Sequence, residues 1–147
     1  PMKHSLIANE ISSVMGIVNG TTNYMLTRMV EDGLSYDAAL KDAQARGYAE
    51  QNPAADVDGI DAGRKICILA DMMFGKNVDP SRVRMTGISA ITAADAAFAE
   101  AAGMKLRLLG RPAGRTDRGV RLAAFCCGRA AAGPGLGRAE RHRGARQ

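Results

Sequence analysis

Asp61 and Lys65 stand four residues apart in D-G-I-D-A-G-R-K, a spacing that places a carboxylate and an ammonium on one face of a helix. That face continues into Ile68, Leu69 and Met72, so it is expected to lead into the core. A lysine at the head of a buried face is desolvated. Its pKa can then fall into the range that suits a general acid or base, provided the ammonium keeps a partner. Glu50 and Asp56 lie shortly upstream and would add anionic groups to such a site. The same spacing also describes a plain i to i+4 ion pair, with Asp58 and Asp61 merely favouring a helix N-terminus. Spacing leaves both readings open.

A second place for chemistry is the junction at Asn19-Gly20. The apolar run Val14 to Val18 reads as a short buried strand, and a helix is expected to follow. Gly20 lets a ligand approach the backbone closely, and the N–H groups opening the helix favour an anion such as a carboxylate. An ordinary turn capped by Thr21 or Thr22 fits the same residues. Tyr48 could line a site with its hydroxyl or simply pack. His4 and His142 are isolated, and Met72 and Met73 suit a core better than a ligand set.

The elements that must position these groups follow from periodicity. Leu26, Met29 and Val30 fit one face of a helix ending at Gly33, and Ser35 caps a second helix bearing Tyr36, Ala39, Leu40 and Ala43, which stops at Gly47. Residues 47–58 lack a period, contain Pro53 and read as a surface connection. Asp58 is the expected N-cap of a central buried helix over 59–74, apolar nearly all round from Ile66 and closed by Gly75. A turn at Asp79-Pro80, a helix capped by Thr92 and a half-buried strand from Met104 to Leu108 complete the ordered pattern.

Composition divides the 147 residues near Gly110. Residues 1–110 carry 11 Lys and Arg against 13 Asp and Glu, a net of −2, whereas residues 111–147 carry nine Arg against Asp117 and Glu140, a net of +7. The basic pI of about 9.5 therefore belongs to the tail, so whole-chain charge is no argument for nucleic-acid or membrane binding. The tail, rich in Arg, Ala and Gly and without a sustained period, is expected to be disordered, and out-of-frame translation of a GC-rich gene would produce such a composition. Cys67 and the adjacent Cys126 and Cys127 form neither a disulfide framework nor a C-x-x-C metal pattern. With no membrane-length apolar run and no secretory signal pattern, a cytoplasmic location is expected. The chain opens on Pro1 rather than Met and reads as the interior of a longer protein, that is, a fragment.

Taken together, G-I-V-N-G-T-T-N-Y-M-L at 16–26 and G-Y-A-E-Q-N-P-A-A-D-V-D-G-I-D-A-G-R-K at 47–65 resemble the signature region of homoserine dehydrogenases. The similarity continues through Phe74-Gly75, G-I-S-A-I and the Asp95 helix to K-L-R-L-L-G, covering about residues 1–110. The resemblance implies an α+β catalytic domain with its sheet covered by helices, here truncated. It also implies reversible reduction of L-aspartate 4-semialdehyde to L-homoserine with NADPH or NADH, on the route to threonine, methionine and isoleucine. In that family Lys65 would match the proton-transfer lysine. Glu50 and Asp61 would match acids holding the substrate's amino group and hydroxyl end, with Asp56 a further acid nearby. Gly20, Thr21 and Tyr48 would line the substrate pocket.

No G-x-G-x-x-G fingerprint opens the chain, so no dinucleotide-binding residues are expected here. A second lysine of the family's site and its monovalent-cation site would fall before Pro1, and no metal is expected. The resemblance further implies a homodimer. The chain alone is expected to be prone to aggregation or only partly folded, and to lack turnover. Two rivals stay in view: a non-catalytic helical interaction module, favoured if Lys65 faces solvent, and a small basic nucleic-acid-binding protein acting through the Arg-rich tail.

Overall fold

A computed structural model describes residues 9, 11, 14–75 and 77–111, and the backbone of 121–127. Four helices form its larger part: α1 (Gly20–Glu31), α2 (Tyr36–Ala45), α4 (Ile60–Phe74) and α5 (Ala93–Ala101), with a single helical turn, α3 (Ala54–Val57), ahead of α4. A 3-10 turn (Pro80–Arg82) and three strands, β1 (Arg84–Met85), β2 (Lys105–Arg111) and β3 (Arg121–Cys127), complete the described elements. The described chain is thus helix-rich with a small sheet.

The caps explain where most helices begin. Ser35 accepts from the Ala38 N–H, and Thr92 forms a reciprocal capping box with Asp95. At α1 the cap is Asn19 rather than Thr21 or Thr22: its side chain accepts from the Thr22 N–H, and Thr22 is instead buried behind it. At α4 the cap is Gly59, at φ 81°, and not Asp58. A left-handed residue there turns the chain sharply between α3 and α4, a geometry that a side chain resists. Gly75, at φ 60°, closes α4 in the same conformation.

The sheet runs β1-β3-β2. β1 pairs parallel with β3, and β2 pairs antiparallel with β3 from Lys105↔Cys127 to Arg111↔Arg121. β2 buries Leu106 and Leu108 and exposes Lys105, as its alternation requires. Residues 121–127 fall in the tail expected to be disordered, yet they form the central strand; the ladder satisfies backbone groups irrespective of arginine content. Residues 112–120 and 128–147 of that tail lie outside the described residues.

The buried strand expected over 14–18 does not form. Gly16 makes one antiparallel bridge to Gly110, while Met15 and Ile17 on either side are exposed. The segment touches the outer edge of β2 at a single point, too little pairing to build a ladder or bury its side chains.

The core lies where α1, α4 and α5 meet β2, around Met25, Leu26, Met29, Ile66, Ala99, Leu106 and Leu108. The central helix buries one face only, Ala62, Ile66 and Ala70 with Gly63 and Cys67, whereas Ile68 is 59% and Met72 37% exposed. The expectation of an apolar helix buried nearly all round is corrected accordingly. A single i, i+4, i+8 stripe meets the sheet and the turn from the opposite side faces outward. No described helix is long and apolar enough to cross a membrane.

Candidate functional site

The start of α1, the loop after α2 and the first turn of α4 converge on an open cleft of about 590 Å³, lined by Asn19, Gly20, Thr21, Tyr24, Gly47, Tyr48, Asp56, Asp61 and Lys65. Sequence separation is large and the contacts are short. Lys65 Nζ lies 2.7 Å from Asp61 Oδ2 and donates to the Val18 carbonyl at 3.2 Å. The ammonium thus bridges the first turn of α4 to the strand-like segment that enters α1.

Asn19 Nδ2 donates to Asp56 Oδ1 at 2.7 Å and to Asp61 Oδ2 at 3.1 Å. Its Oδ1 accepts from the backbone N–H and the hydroxyl of Thr22, both at 2.9 Å. On the opposite wall Thr21 Oγ1 donates to the Tyr48 carbonyl at 2.7 Å, which ties α1 to the loop after α2. The Tyr48 ring rests on Tyr24 with centroids 4.8 Å apart, and the Tyr24 hydroxyl donates to Asp42 at 2.5 Å.

Electrostatics follow from these contacts. The hydrogen bond from Lys65 holds the Asp61 carboxyl below its ordinary range; partial burial opposes this, and the Asn19 bond and the Lys65 charge add to it. Asp61 is therefore an anion at neutral pH. The Asp42 bond raises the Tyr24 hydroxyl above its ordinary value.

Six of the seven residues singled out from sequence line this one cleft: Gly20, Thr21, Tyr48, Asp56, Asp61 and Lys65. Glu50 does not. It is exposed, and its backbone carbonyl accepts from Gln44 Nε2 at 3.0 Å. The reasoning about Lys65 is corrected on one point. Its side chain is 50% exposed, because the face it heads runs out to Ile68 and Met72 and not into the core, so burial does not desolvate the ammonium here. Asn19, Tyr24 and Gly47 were missed. An Asn directly before the first turn of a helix is itself a capping signal, and that would have pointed to Asn19.

The cleft thus brings together one ammonium, the carboxylates of Asp56 and Asp61, and the N–H groups that open α1. The family model described as homoserine dehydrogenase matches residues 1–131. The chain belongs to the homoserine dehydrogenase family. The matched span passes Gly110, where the resemblance was expected to stop, and takes in β3.

Among curated homoserine dehydrogenases, that of Synechocystis is 49% identical over 74% of this chain and 25% of its own length, and that of Methanocaldococcus jannaschii is 43% identical over 74% and 32%. A crystal structure of a putative homoserine dehydrogenase from Archaeoglobus fulgidus superposes with a TM-score of 0.80 at 38% identity, covering 86% of this chain and 38% of that one. A hyperthermophilic archaeal homoserine dehydrogenase in complex with NADPH gives a TM-score of 0.65 at 26% identity, covering 88% and 35%. The chain spans a quarter to a third of the length of these curated homoserine dehydrogenases.

Proposed function

We propose that this chain is the substrate-binding and proton-transfer part of a homoserine dehydrogenase, interconverting L-homoserine and L-aspartate 4-semialdehyde with Lys65 as the proton-transfer group. The observation that carries the reading is the Lys65 ammonium, held at 2.7 Å by Asp61 and 3.2 Å by the Val18 carbonyl in the wall of a cleft with Gly20, Thr21, Tyr48 and Asp56. Oxidising a primary alcohol to an aldehyde removes a proton from oxygen and a hydride from carbon. Lys65, as the amine, takes the proton from the homoserine hydroxyl. In the reverse direction, as the ammonium, it returns the proton to the aldehyde oxygen while carbon receives the hydride.

Asp61 holds the hydroxyl end and orients Lys65. Glu50, exposed and two residues beyond Tyr48, is read as the anionic partner of the substrate's amino group, with Asp56 a further acid in the cleft wall. Gly20 and Thr21, at the start of α1, receive the substrate carboxylate, and Tyr48 closes the side of the pocket.

The hydride carrier is NADP or NAD, and one structural relative was solved with NADPH. The cleft does not fit a dinucleotide. Its lining offers one cation, Lys65, already paired with Asp61, beside the carboxylate of Asp56, a poor surface for a pyrophosphate. The reading therefore places the dinucleotide outside this cleft. The same reading makes the protein a cytoplasmic homodimer in threonine, methionine and isoleucine biosynthesis, with a small-molecule substrate and neither nucleic acid nor membrane as partner. Residues 1–110 are read as its partial catalytic domain.

The test is Lys65→Ala in a full-length homoserine dehydrogenase into which these residues are grafted, assayed for homoserine oxidation and homoserine binding. Loss of turnover on the order of 10² to 10⁴ with binding retained supports the assignment. Near-normal turnover overturns it. It would favour the second reading, a helical interaction module, which the exposed Ile68 and Met72 beyond Lys65 on α4 suit.

A further inference from the structure

Asn19 lines the cleft but has nothing left to offer a ligand. An amide group has two N–H donors and two acceptor sites on oxygen, and here all four are engaged: the donors by Asp56 and Asp61, the acceptors by the N–H and hydroxyl of Thr22. Its orientation is unambiguous, because the Thr22 N–H can only donate and an ionised carboxylate can only accept. The residue is 5% exposed. A buried amide with every bond made is rigid, and each group it touches is fixed with it.

We infer that Asn19 is a positioning residue of this cleft: it ties the Asp56 and Asp61 carboxylates to the start of α1 and, through Asp61, sets where the Lys65 ammonium stands. The inference rests on the proposed role of Lys65, which gives that position its meaning. Asp61 Oδ2 is shared between Asn19 Nδ2 at 3.1 Å and Lys65 Nζ at 2.7 Å, so the amide selects the carboxylate rotamer that meets the lysine. The two donors also compensate two carboxylates brought close together, which would otherwise repel. Asp would bring a third anion, Ala would leave the Thr22 N–H uncapped, and Ser would keep the cap but not reach both acids.

The test is NMR titration of the full-length homoserine dehydrogenase carrying these residues, following the Asn19 side-chain amide protons and the Asp61 carboxyl carbon while pH is lowered. The expected result is an Asn19 amide signal that moves with protonation of Asp61 and Asp56. In Asn19→Ser, which retains a capping oxygen, the Asp61 midpoint shifts upward although Lys65 and Arg64 remain beside it. An Asn19 amide signal that ignores carboxylate protonation in the unmutated chain would overturn the inference, and that measurement needs no variant to fold. An unchanged Asp61 midpoint in a folded Asn19→Ser would overturn it as well. Neither result bears on the Lys65 assay, so failure of the bridge and failure of the proton-transfer role are told apart.

Discussion

Lys65 and Val18 are joined by a hydrogen bond of 3.2 Å across 47 residues of sequence, from the ammonium on α4 to the carbonyl just ahead of α1. That bond, with the 2.7 Å pair to Asp61, gives the ammonium two fixed oxygen partners and leaves its third proton free for the cleft. A lysine held in this way is aimed even though half of its side chain is in solvent.

Partial exposure has a consequence for stability. Lys65→Ala is expected to leave the fold nearly unchanged at neutral pH, with a loss of about 1 kcal/mol or less, because half-exposed ion pairs contribute little. Urea unfolding followed by circular dichroism checks this. A loss several times larger would make Lys65 a structural residue first.

The contribution of that pair should vanish in acid. Asp61 titrates below its ordinary value of 3.8 in the folded chain, chiefly because Lys65 bonds to it. A carboxyl whose folded pKa is depressed stabilises the fold above its unfolded pKa and loses that effect as pH falls through the folded value. The stability difference between the parent chain and Lys65→Ala is therefore expected to be constant above about pH 5 and to shrink progressively below pH 4. A difference independent of pH would mean that the pair is not what Lys65→Ala removes.

Tyr24 makes the opposite prediction at high pH. Its hydroxyl bonds to Asp42, so its pKa lies above 10.0 in the fold, with burial adding to the effect. A raised pKa stabilises the fold fully below the unfolded value and ceases to do so as pH rises through the folded one. Tyr24→Phe should be less stable than the parent near neutrality and should lose less on going above pH 10. The check is a series of unfolding curves at rising alkaline pH, compared between the two proteins.

Two glycines separate backbone crowding from side-chain crowding. A methyl at Gly87 would run into the Val57 carbonyl oxygen and sit 2.6 Å from Asp58 Cα, in the connection that carries Asp56 toward α4. A methyl at Gly63 would meet only the end of Met85, 2.5 Å from its Cε. Gly87→Ala is expected to cost about 1–3 kcal/mol or more, since backbone must move, and Gly63→Ala clearly less, since a methionine can change rotamer. Thermal unfolding of both variants decides the order; the reverse order would overturn the packing argument.

Local chemistry sufficed for much of this molecule. Ser35 and Thr92 cap where short polar side chains before an apolar period should, and the alternation through Leu106 and Leu108 gave a half-buried strand. The spacing of Asp61 and Lys65 placed both on one helical face, and six candidate residues read from the two signature segments line one cleft. The caps, the alternation and the shared helical face depend on neighbours within a few residues, whose geometry the backbone fixes, whereas the meeting of the six in one cleft depends on packing across 27 to 47 residues of sequence.

What sequence could not decide depended on partners far along the chain. Whether Val14 to Val18 became a ladder turned on how much of it met β2, and it met only Gly110. The Arg-, Ala- and Gly-rich composition of residues 111–147 argued for disorder, but strand membership of 121–127 is settled by backbone pairing, and β2 on one side and β1 on the other supplied it. The outward face of α4 was set by which stripe of a largely apolar helix reached the sheet, so Lys65 came to rest half in water. The four bonds of Asn19 needed Thr22, Asp56 and Asp61 at one point in space. Periodicity assigns residues to faces, but only packing decides which face is buried and which distant groups meet.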